Sequence, residues 1–97
     1  MTTPLTASGP WVRRGGLDDW YVVGDRSAVL VGGRVLLLSE LATVVVELVG
    51  ESGLGLDSLA DALGKHFGAP PAGSPTEATA EAVRVLVHEG VLATGDR

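Results

Sequence analysis

Ser58 is the side chain with the most chemical promise in this chain. It sits in Gly55-Leu56-Asp57-Ser58-Leu59, which places a hydroxyl at the start of a helix. The same residues also make an ordinary first helical turn. Asp57 complements the helix dipole, and Ser58 with Asp61 resembles a capping pair. His66 and His88 are the only histidines. Each lies beside an apolar helical stripe, on different helices and with no carboxylate at ligand spacing, which favours surface histidines over metal ligands or general bases. Asp18-Asp19 is a carboxylate pair in a turn, better read as solvated than catalytic. Gly53-x-Gly55 is too short for phosphate binding. The absence of cysteine excludes disulfides, thiolate metal sites and a cysteine nucleophile. The expectation is a protein that is not an enzyme and holds no cofactor or metal.

The chemistry that remains is recognition, and composition limits its targets. At 97 residues the chain is one domain with a single small core. With 45% hydrophobic and 20% charged residues, it reads as globular rather than disordered. No apolar run approaches the ~20 residues that span a bilayer. The opening Met1-Thr2-Thr3-Pro4-Leu5-Thr6 lacks a basic segment followed by an apolar one, so a cytoplasmic protein without a membrane partner is expected. Net charge is −5, with Lys65 the one lysine and the arginines scattered apart from Arg13-Arg14. Nucleic acid is therefore not an expected partner.

The elements that must carry recognition follow from periodicity. Residues 1–10 read as a flexible tail. Trp11-Val12-Arg13-Arg14 is a short strand or the tail's docking point. Trp11 and Trp20 are candidate interface anchors, although a strand places Trp20 more readily in the core. Strands are expected at about 20–24, 27–31 and 34–38, the last two joined through Gly32-Gly33, a pair suited to positive φ at both turn positions. Val44-Val45-Val46 suggests strand by composition. Leu41, Val44, Val45 and Leu48, however, have the spacing of one helix face, with Ser39 as cap and Gly50 as stop. A second helix is expected over 56–67 with Leu56, Leu59, Leu63 and Phe67 on one face. After a loop over 69–75, a third helix spans about 76–89. Gly90 ends it, Val91-Leu92 tucks back, and residues 93–97 form a flexible tail. The folded domain is expected over 11–92.

The third helix carries more than one apolar stripe. Val83, Leu86 and Val87 fall together and face the core. Ala78, Ala82 and Val85 cluster on an adjacent face. A small helix packed on one side has no need for this second stripe, and its alanines make a shallow trough. Alanine is also a good helix former, and Leu36 and Leu38 read as core, with Val35 and Leu37 covering the sheet's other face.

This order of elements resembles the PqqD family of peptide chaperones and the related recognition elements of ribosomal peptide biosynthesis. The resemblance covers about residues 20–92. It rests on the strand–Gly32-Gly33–strand unit, the Leu38-Ser39-x-x-Ala42 junction, Leu59, Phe67 and the closing Gly90-Val91-Leu92. The family usually has Leu-Asn at the junction, and Trp20-Tyr21-Val22-Val23 and the 69–75 loop are less typical of it. The resemblance implies an α+β, winged-helix-like fold, with three antiparallel strands followed by three helices. It also implies a non-catalytic protein that binds a precursor's leader peptide and presents it to a separate modifying enzyme or protease. In the family the leader adds as an antiparallel strand at the third strand's edge, beside the third helix. On this chain that edge is Arg34, Val35, Leu36 and Leu37. The opposing wall is Ala78, Glu81, Ala82 and Val85, with Arg34 and Glu81 able to read charges on the peptide. An apolar edge can also pair with its own copy, giving a homodimer.

The segment around Ser58 resembles another family, the acyl carrier proteins, at their phosphopantetheine attachment site, and Ala60-Asp61-Ala62-Leu63 continues the likeness. Carrier proteins are four-helix bundles with a long loop before this serine. Here strands and a nearby helix precede it.

Overall fold

The computed structural model describes residues 11–68 and 73–95, and two hairpins dominate its first half. Strands β1 (Trp11–Arg14), β2 (Asp19–Val23), β3 (Arg26–Val31) and β4 (Arg34–Leu38) precede helix α1 (Glu40–Val49). Strands β2, β3 and β4 form an antiparallel meander with β3 central. Gly32 and Gly33 have φ of 56° and 77°, so the two-residue turn between β3 and β4 has the geometry that matches strand twist. The expected strands are therefore in place, and β2 and β3 each begin one residue early.

The helices obey local capping chemistry. The Ser39 hydroxyl accepts the Ala42 N–H at 3.2 Å, and Gly50 closes α1. After the short strand β5 (Leu54–Gly55) comes α2 (Leu56–Phe67), then α3 (Pro75–His88) and β6 (Leu92–Gly95). Helix α3 starts at Pro75, ahead of the expected Thr76, because Ser74 and Glu77 form a reciprocal capping box with proline in the first turn. At its far end Val91 N–H donates to Leu86 O and Gly90 N–H to Val87 O. This Schellman pattern turns the chain back toward the core.

The second sheet corrects the expected count of strands. β1 lies at its centre, flanked by β5 and β6, so Trp11–Arg14 is a strand. Ala93–Gly95 do not fray as expected, since they pair with Trp11–Arg13. The fold is α+β, built from two antiparallel sheets and α1 to α3. The expected tails over 1–10 and at Asp96 and Arg97 lie outside the described residues. No helix among those described is long and apolar enough to cross a membrane.

Both sheets feed one core. Val12 of β1, Val29 of β3, Val45 and Val46 of α1, Leu59 of α2 and Val91 are each at most 1% exposed. Burying a side chain of this kind contributes roughly 1.5–3 kcal/mol. Between β3 and α1 the Ser27 and Thr43 hydroxyls, both buried, share a hydrogen bond of 2.8 Å. The phase of α1 differs from expectation, because Thr43, Val46 and Val49 join Val44 and Val45 inside while Leu41 and Leu48 are exposed. In α2, Leu56, Leu59 and Leu63 are buried as expected, but Phe67 faces solvent and stacks edge-on against His66. Trp20 is half-buried, with the Arg14 guanidinium 4.6 Å above its ring.

Candidate functional site

The far side of β4 has no strand partner among the described residues, and the hairpin register decides what that edge presents. In a two-residue hairpin the flanking residues, here Val31 and Arg34, exchange both backbone bonds. Alternation then directs the backbone groups of Leu36 and Leu38 toward β3. Those of Val35 and Leu37 point away from the sheet. The free edge is thus Val35 and Leu37, one bonding site every other residue, as strand addition requires.

Side chains alternate with the same period. Leu38 is buried and Leu36 packs half-buried against the core. Val35 and Leu37 stand on the outer face, 68% and 84% exposed. The expectation that Leu36 and Leu38 serve the core holds. Val35 and Leu37 are left uncovered.

On α3, Val83 and Leu86 are buried and Val87 packs against the core. Ala78 is exposed, Ala82 half-buried and Val85 48% exposed. The second stripe therefore remains open to solvent. It also continues one step further than the sequence suggests. Glu89 follows Ala78, Ala82 and Val85 at helical spacing, and its carboxylate Oε1 lies 3.4 Å from Arg34 Nη1. Arg34 Nη2 also donates to Glu89 O at 3.2 Å. This contact ties the first residue of β4 to the end of the α3 stripe. Both side chains are substantially exposed, so the pair is worth at most ~1 kcal/mol and can exchange partners.

Of the residues singled out for recognition, Arg34 thus meets Glu89. Glu81 pairs within its own helix, accepting Arg84 Nε–H at 3.3 Å. No hydrogen bond or ion pair among the described residues joins Arg34–Leu37 directly to Ala78, Glu81, Ala82 or Val85. Glu89 was legible only by extending the stripe past the expected core residues.

The remaining chemical candidates stand apart. Ser58 is exposed in the first turn of α2, but the cap is Gly55 and no side-chain capping bond forms there. The expected Ser58–Asp61 capping pair is therefore absent, and Asp61 instead faces Lys65 at 3.5 Å. The helices are accompanied by two sheets, unlike a four-helix bundle. His66 and His88 are exposed, on α2 and α3. Among the described residues no group of His, Asp or Glu is arranged to hold a metal ion. Comparison of the chain with family models, curated proteins and solved structures finds no match.

Proposed function

We propose that this chain is a cytoplasmic, PqqD-like, non-catalytic module that binds the leader of a ribosomally made precursor peptide and presents it to a modifying enzyme. The observation that carries the reading is the free edge of Val35 and Leu37, tied through the Arg34–Glu89 contact to the end of the open Ala78–Ala82–Val85 stripe. The leader adds antiparallel to β4, exchanging backbone bonds with Val35 and Leu37. Each such bond contributes about 0.5–1.5 kcal/mol net, so the edge alone gives weak, sequence-tolerant binding. Specificity comes from apolar leader side chains seated against Ala82 and Val85. Arg34, released from Glu89, pairs with a leader carboxylate, and Glu81 is available to a basic residue.

An amide NMR titration of the full chain with the precursor leader encoded beside its gene tests this reading. Saturable shifts along residues 34–38 and 76–89 are expected. Replacing Val85 with Asp abolishes them while the spectrum stays dispersed, because Val85 is half-exposed and bears little of the core. An absence of shifts in a folded protein refutes leader binding, and modification of Ser58 by a phosphopantetheinyl transferase is then the assay to run.

A further inference from the structure

Among the described residues, no element packs on the outer face of the β2–β3–β4 sheet. Its rows follow from the register, in which Asp19, Leu30 and Val35 lie side by side, then Tyr21, Ala28 and Leu37, then Val23 with Arg26. Tyr21 is 70% exposed and Val23 63%. Together with Val35 and Leu37 they expose apolar area on the order of 500 Å², at the upper end for the largest patch on a monomer. A shallow depression of about 230 Å³ opens between Tyr21 and Val35, floored by Ala28 and Leu30.

We infer that this face packs against the same face of a second copy of the chain. Area is the first argument. Doubling the patch gives roughly 1,000 Å² of buried surface, the lower bound for a specific interface. Charge is the second. The face has an acid, Asp19, in its first row and a base, Arg26, in its last. A two-fold axis perpendicular to the strands reverses the rows and sets Asp19 of each copy beside Arg26 of the other, so the contact is self-complementary. The arrangement leaves the outward backbone groups of Val35 and Leu37 in the plane of the sheet, free for strand addition. It therefore differs from pairing through the edge itself.

Sedimentation velocity of the full chain over a wide concentration range tests the interface. The mass is expected to rise from 9.9 kDa toward twice that value. Tyr21→Asp holds the protein at the monomer mass with an unchanged circular dichroism spectrum. Asp19→Arg and Arg26→Asp each weaken association by about tenfold, since each places like charges together twice per dimer. The double exchange restores it. A chain that stays monomeric at millimolar concentration overturns the inference, and leaves the face to a different protein. So does dimerisation that survives Tyr21→Asp, or a double exchange no tighter than the single ones.

Discussion

Proline at position 37 separates strand addition from every other mode of binding at this surface. The Leu37 N–H points away from β3, so its loss removes no ladder bond, and proline is tolerated at such an edge position. The Leu37 side chain is 84% exposed, so its removal forfeits almost no burial. Stability should change by less than ~1 kcal/mol. Binding should suffer more. One backbone donor is lost, worth about 0.5–1.5 kcal/mol, and the ring projects toward the incoming strand. The lost bond alone predicts about a three- to tenfold weaker Kd. Leu37→Ala is the control, because it trims the side chain and keeps the N–H. Leu36→Pro is the opposite control, since the Leu36 N–H faces β3 and its removal breaks a ladder bond, which should cost about 1–3 kcal/mol in fold stability. Anisotropy of a labelled leader peptide reads the affinities, and thermal unfolding reads the fold. Equal affinity for folded Leu37→Pro and Leu37→Ala would refute strand addition at β4, whatever else the peptide touches.

Other consequences can be checked on the protein alone. Ser27→Ala strands the buried Thr43 hydroxyl and should destabilise by about 1–3 kcal/mol, whereas Ser27→Ala with Thr43→Val removes both partners and should recover most of that loss. Denaturant midpoints of the two variants decide this, and additive losses would count against the buried pair. Gly15→Ala should destabilise by roughly 1–3 kcal/mol, because a Cβ there would lie 2.3 Å from the Gly90 carbonyl oxygen and force β1 away from the end of α3. An unchanged melting temperature would show that this approach is looser than described.

Where the sequence could be read, the signal was local. The β3–β4 hairpin follows from alternation around two glycines, and α3 from its stripes and the glycine after it. The start of α3 was also local, but Ser74-Pro75-Thr76-Glu77 is a capping box easily passed over within a proline-rich stretch. The phase of α1 was not local. Leu41 through Val46 is so uniformly apolar or small that more than one face fits a helical period. The choice is made by packing against residues distant in sequence, which buries Val46 and Val49 and brings Thr43 to the Ser27 hydroxyl. The β1–β6 pairing was equally illegible, since Leu92-Ala93-Thr94-Gly95 has neither strong alternation nor a turn to its partner. At the candidate site the edge and the stripe could both be anticipated. The Arg34–Glu89 contact could not, because it depends on how the end of α3 meets the hairpin.

The central place of β1 in its sheet has a consequence for how the molecule is made. Trp11 pairs with both Gly55 and Gly95, so among the described strands the first waits for the last. The second sheet cannot close until Gly95 has cleared the ribosome, and closure over so long a loop is slow. During that interval Val12, fully buried in the end, remains without its sheet partners. The finished register also brings Trp11 and Gly95 side by side. A polypeptide fused ahead of the first strand and one fused behind the last would leave the molecule from neighbouring points.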